Sequence, residues 1–372
     1  MKIRKDLNIL LFCLAFLFSL NIICPAQNDA DSKLIPFMME EKWGYINNAG
    51  KIVIRPQFDE ADRFSEGLAR VQTGLKSGFI DSTGKFAIEP IYTFAFSFSE
   101  GLAVVGKDTN NPWFYIDRNG KAVIEPKYIW LGPFRNGLAQ FSVNVGGNSL
   151  DTYDARNGFI DKSGKVIIDP KFTNAEDFSD GLAIIADDKP NKNMQAYFNK
   201  KAFIDTKGNI VTPFFDNVEN FSEGLAAVEI NDRWGFIDKT GNIVIAPQFD
   251  FILREFSEGI AFVHCHNDKV GAIDKTGKMI TKCIFDEAWG FTEGVSSVEF
   301  EGKFGFIDKN GKFAIKPQFD RAESFFNGLA EVRLKKGDWI YAGFIDHRGK
   351  FIFKPVKRER IEDSDSESVD IE

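Results

Sequence analysis

The chain has 372 residues, 44% hydrophobic and 27% charged, with 39 phenylalanines and a formal net charge of −8. That balance suits a folded protein with a β-rich, aromatic interior. It excludes the basic surface that nucleic acid or anionic lipid requires.

In chain order, residues 1–26 read as a secretory signal peptide. Lys2, Arg4 and Lys5 form a positive start, Leu7–Ile23 is apolar but too short and interrupted for a membrane span, and cleavage falls between Ala26 and Gln27. Lipid attachment at Cys24 is a second reading, disfavoured because Ile23 stands where a small residue is expected. Loss of the leader takes the formal charge from −8 to −10, and no membrane span is expected in the mature chain. Residues 27–33 form a short linker.

From residue 34 to 355 the sequence is periodic. The sextet FSEGLA stands at Phe64, Phe98 and Phe221, with variants beginning at Phe134, Phe178, Phe256, Phe291 and Phe325, at intervals of 34 to 44 residues. Between these marks runs a second signature, as in WGYINNAGKIVIRPQFD from Trp43 and WGFIDKTGNIVIAPQFD from Trp234, in nine copies. Each copy predicts a three-stranded meander. In the Leu-Ala-x-Val strand Ala and Val keep one face constant while the residue between varies, which marks a buried face and an outward one. The Asp-x-x-Gly of the second strand suits a hairpin turn, so the recurrent Asp is a turn former rather than a catalytic or calcium carboxylate. A Pro at the end of the third strand cannot donate to a ladder and stops it. The Phe of the sextet then plugs the core between one unit and the next, since a small meander must bury a face on its neighbours.

Nine finished units of about 35 residues, with no split one, predict an all-β, open superhelical β-solenoid; the alternative is a closed β-propeller-like array. Residues 356–372 read as a disordered acidic tail.

The pattern resembles the WG-repeat, or KWG-repeat, family of bacterial proteins, over about residues 34–355. The resemblance implies β-rich repeats, frequent export and an interaction role. The chain departs from it in keeping the Trp only at Trp43, Trp234 and, displaced, Trp113, which argues against a Trp in every repeat gripping a ligand.

Few residues point to chemistry. His264 and His266 flank Cys265 on one strand and are weak candidates for a metal, with Asp268 nearby, but a pair without a ligand role is the preferred reading. After leader removal Cys265 and Cys283 remain and read as two separate buried thiols, because non-adjacent strands usually hold Cα atoms too far apart for a bridge. No phosphate loop, nucleophile elbow or metalloprotease helix occurs. Insertions at 107–111, 144–156, 187–201 and 335–338 all fall between the first and second strands of a unit and would rise from one edge of the array. Their aromatics Tyr153, Tyr197, Phe198 and Trp339 are candidate partner-binding residues. The expectation is an exported, monomeric, non-catalytic scaffold without cofactor that binds a protein or cell-envelope component. A glycan-binding, lectin-like module is the alternative, and an enzyme ranks third.

Overall fold

The computed structural model describes residues 33–107, 113–144, 155–186, 200–265 and 268–360. Within them it contains strands, turns and no α-helix. The strands group into nine small antiparallel sheets, numbered here 1 to 9 and covering residues 35–58, 60–92, 94–128, 130–172, 182–205, 217–249, 251–274, 295–319 and 321–360. Sheet 2 shows the plan, with a short strand Glu60–Ala61 followed by Ala69–Thr73, Lys76–Ile80 and Phe86–Tyr92 paired in sequence order. The meander thus carries a fourth strand, drawn from the connecting segment, in sheets 2, 3, 4, 6 and 9.

The Gly of the second strand is required by close approach in six of the sheets. In sheet 1 Tyr45 pairs with Ile54 but Trp43 pairs with Phe58, so Arg55-Pro56-Gln57 bulges across Gly44, and the third strand runs through Pro56 to Phe58 instead of stopping at the proline, because the bulge takes the missing donor out of the ladder. A Cβ at Gly44 would stand 2.5 Å from Ile54 O, and the same crossing occurs at Gly78, Gly158, Gly235, Gly305 and Gly343.

Two third strands lose their regularity. Sheets 5 and 7 replace a ladder acceptor with a buried hydroxyl: Phe203 N donates to Thr212 Oγ1 at 3.1 Å and Ala272 N to Thr281 Oγ1 at 2.9 Å. This irregular segment corrects one expectation. Cys265 and Cys283 form a disulfide, with Cα atoms 6.3 Å apart. They do not sit on flat, separated strands: Cys265 lies just past the strand Ile260–His264, and the chain at Cys283 crosses over Gly271, which has no side chain to hold it away. The end of the chain corrects another. The last strand runs Phe351–Arg360, so 356–360 belong to sheet 9 rather than to a tail, because residues 335–340 extend the neighbouring strand and offer Trp339 and Ile340 as partners. Residues 361–372 lie outside the described residues.

Each pair of consecutive sheets shares one apolar core. Between sheets 2 and 3, for example, Leu68, Phe79 and Ile88 meet Phe98, Ala103 and Val105. The hairpin glycine of each sheet also rests on the third strand of the sheet before it: a Cβ at Gly84 would touch Ile54, at Gly120 Ile88 and at Gly349 Ile315. Sheet 1 approaches sheet 9 in a related way, one residue out of that register: a Cβ at Gly50 would lie 2.6 Å from the backbone oxygen of Ile352 and 3.1 Å from its side chain. These two sheets share a core of Ile35, Phe37, Ile46, Leu329 and Phe344.

Candidate functional site

The sextet turns meet one another along the array. Ser65 N and Leu68 O, with the reciprocal pair, close a two-residue hairpin whose centre is Glu66 at φ +54° and Gly67 at φ +85°. Both central residues of such a turn need positive φ, which Gly adopts freely and Glu does not. The strained acid has two partners in the next sheet. Glu66 accepts the Gly101 N–H of the next turn at 2.9 Å and pairs with Arg118 of the following hairpin at 3.1 Å. Glu100 with Gly137 and Lys162, Glu223 with Gly259 and Lys275, and Glu258 with Gly294 and Lys309 repeat it. Ser65, Ser99, Ser179 and Ser222 add hydroxyl donation to the carbonyl of the next plug phenylalanine at 2.7 Å. The row of turns is therefore an intramolecular fastening. Its acids have partners within the chain.

The hairpin aspartates are turn formers. Asp238 Oδ1 accepts the amides of Thr240 and Asn242 and the Thr240 hydroxyl, which together hold its carboxyl at about 2.

The surface with unused binding chemistry lies on sheets 3 and 4. Phe94 and Phe96, 39% and 42% exposed, stand 5.8 and 5.7 Å by ring centroid from Trp113, and Trp113 stands 6.5 Å from Trp130. Ile91 of sheet 2 and Ile129 are exposed as well. Beneath the rings Asp177 lies against Gly132, where an added Cβ would come within 2.8 Å of Asp177 Oδ1 and 3.0 Å of the Trp130 ring. Asp177 Oδ1 is buried without a hydrogen-bond partner. Burial raises the Asp177 pKa, Glu176 adds to the rise, and Arg135, 3.8 Å away, works against it. The rings are tilted by 30 to 59° to one another, and such a cluster can stack on a ring or anchor a side chain, while Asp177 Oδ1 is closed off beneath it.

The aromatics singled out from sequence fare differently. Tyr153, Tyr197 and Phe198 lie outside the described residues. Trp339 is not on a loop: the extra residues lengthen a hairpin, Trp339 opens the strand Trp339–Ile345, and Lys357 Nζ covers its ring at 3.8 Å. His264 ends its strand with its ring 6.0 Å from Phe251, and His266 lies outside the described residues. Among the described residues no group of three metal-ligating side chains comes together.

The platform was missed, although a signal existed. The first residue of each short connecting strand is Glu60, Asn217 or Arg321 in some copies, while Phe94, Trp130 and Phe251 put an aromatic at that outward position.

A family profile described as WG containing repeat matches residues 43–74, 78–108, 113–144, 158–189, 202–234, 234–269, 271–304 and 304–339. Among solved structures, BamB from Moraxella catarrhalis is similar to the chain at 10% sequence identity and a TM-score of 0.40, over 90% of this chain and 96% of that one. No curated protein matches the sequence.

Proposed function

Because the chain belongs to the WG containing repeat family, we propose that it is an exported, non-catalytic scaffold, closed as a ring of nine sheets, that binds a protein or cell-envelope component through the aromatic platform of sheets 3 and 4. The observation that carries the binding surface is the cluster of Phe94, Phe96, Trp113 and Trp130. Large rigid aromatics at a solvent-facing site contribute contact area at small entropic cost, and such residues dominate protein interfaces.

Closure draws support from the shared core of sheets 9 and 1 and from the close approach of the sheet 1 hairpin at Gly50 to Ile352 of sheet 9. Charge matching supports it independently. Each sextet acid meets the second residue of the hairpin one sheet further on, and in that register the neutral Asn136 falls on Thr206. Counting from sheet 9 into sheet 1, the neutral Asn327 falls on Asn48.

The test is a pull-down from the native envelope with the parent chain and with Phe94→Ala/Phe96→Ala, the two exposed rings. The expected result is a partner lost from the double variant while its melting temperature stays within a few degrees of the parent. Retention of the partner would end the reading. A glycan-binding role is the second reading, favoured by the exposed Phe94 and Phe96 rings beside Trp113; a glycan array separates the two.

A further inference from the structure

The row of turns that fastens the sheets is interrupted inside the array. At five seams, from sheet 2 to sheet 4 and from sheet 5 to sheet 8, the sextet acid pairs with an Arg or Lys of the next hairpin at 3.0 to 3.7 Å. At the same five the sextet serine donates to the carbonyl of the next plug at 2.6 to 2.7 Å.

Between sheets 4 and 5 all three residues change at once. Arg135 replaces the serine, Asn136 the acid and Thr206 the cation, so these positions can form neither the hydroxyl bond nor the ion pair. What is left is the Gly181 N–H donating to the neutral Asn136 Oδ1 at 3.3 Å, against 2.6 to 3.1 Å to a carboxylate at the other five. Bonds to a charged acceptor are shorter and roughly twice as strong as neutral ones. The substitution is also consistent with the backbone: Asn136 stands at φ +53°, which Asn adopts more readily than Glu, so this turn has less need of compensating partners.

The same seam carries a cost. Asp177, in the segment leading into sheet 5, lies against Gly132 of sheet 4 with its Oδ1 buried and without a hydrogen bond. Its ion pair with Arg135 spans 3.8 Å between side chains 31% and 57% exposed, too wet to offset much of that. Parting the turn ends would hydrate the oxygen. The apolar core of the seam is ordinary, with Phe178 4.8 Å from Phe159, so the weakness is confined to the turns. The insertions of sheets 4 and 5 leave their strands at Asn144 and Ala186, the opposite ends from the turns.

We propose that this seam is a hinge. Sheets 2–4 and sheets 5–8 form two blocks, and their turn ends part between sheets 4 and 5 while the five fastened seams stay shut. The hinge stands independently of export and of the aromatic cluster on sheets 3 and 4.

Double electron–electron resonance on the full chain tests it, with Cys13→Ser and Cys24→Ser removing stray thiols and Cys265 bonded to Cys283. Spin labels replace exposed residues at equivalent hairpin positions: Lys121 and Asn242 across the hinge, or Asn209 and Lys312 within one block, each pair three units apart. The expected distance distribution is about twice as wide across the hinge as within the block. Arg135→Ser/Asn136→Glu/Thr206→Lys, which restores the fastening, narrows it to the within-block width. The reciprocal Ser222→Arg/Glu223→Asn/Lys275→Thr moves the hinge and widens the Asn209–Lys312 distribution. Hydrogen exchange reads the same event: amides 179–182 of the parent are protected about tenfold less than amides 222–225, and the restoring variant removes the difference. Equal widths in the parent, or a width across the hinge that the restoring variant leaves unchanged, would overturn the proposal. Should that variant not fold, the reciprocal one decides, and an unchanged Asn209–Lys312 width overturns it too.

Discussion

Between sheets 2 and 3 the gap is filled by the ring of Phe98 against Phe79, and the strand opposite contributes only the small Ala103 and Val105. Between sheets 9 and 1 the sequence has no sextet phenylalanine, and bulk is supplied from the strands themselves by Ile35, Phe37 and Phe353. The comparison teaches that the seam, not the sheet, is the unit that must conserve volume: a missing phenyl ring is offset by larger residues on two strands, and imperfectly, since a cavity remains.

Removing a plug should have the largest effect. Phe98→Ala empties a buried seam and is expected to cost about 3–5 kcal/mol in denaturant unfolding, and a loss below 1 kcal/mol would show that the sextet phenylalanine does not hold the sheets together. Within the unit of sheet 7 the disulfide Cys265–Cys283 spans 18 residues of chain separation. Cys283→Ser should lower stability by about 3 kcal/mol, and reductant should lower the parent by the same amount but leave the variant unchanged.

Exchanging residues between the two kinds of seam sharpens the comparison. Ile35→Ala installs the residue that ordinary seams use and Ala103→Ile the reverse, yet each should destabilise by about 2 kcal/mol, the first by opening space and the second by overfilling it. If Ile35→Ala is neutral in thermal melts, the compensation described above is not real. The fastening of turns should count for less. Lys275→Ala removes an exposed ion pair with Glu223 and is expected to cost about 0.5 kcal/mol, falling further at high salt.

The smallest change per residue is one of pH. Asp238, bonded by the Thr240 hydroxyl and by amides, has its carboxyl near 2 in the fold against 3.8 ordinarily, so its contribution is present above about pH 4 and is lost as pH falls toward 2. Asp177 and Glu219 act oppositely: burial raises both, with Glu255 adding to Glu219, so protonation relieves a cost as pH falls through their raised values. The denaturation midpoint should decline between about pH 4 and 2, and Asp238→Asn should flatten that decline. An unchanged slope in the variant would assign the acid sensitivity to other groups.

Much of this was legible in the residues. The period, the alternation in Leu-Ala-x-Val and the Asp-x-x-Gly turn are local, with every determinant inside a few residues, and they appear in the structure as written. The platform was less so. Phe94 and Trp130 announce themselves only when copies are compared at an outward position, and nothing local says that they lie near Trp113.

By itself the sequence determined the small antiparallel sheets and the recurring plug between them, because hydrophobic alternation and turn chemistry act over the length of one unit. Only the tertiary structure decided that Glu66 reaches Gly101 and Arg118, that Cys265 meets Cys283 across Gly271, and that sheet 9 packs on sheet 1. Those pairings depend on the angle and offset accumulated from sheet to sheet, which no stretch of 35 residues encodes on its face.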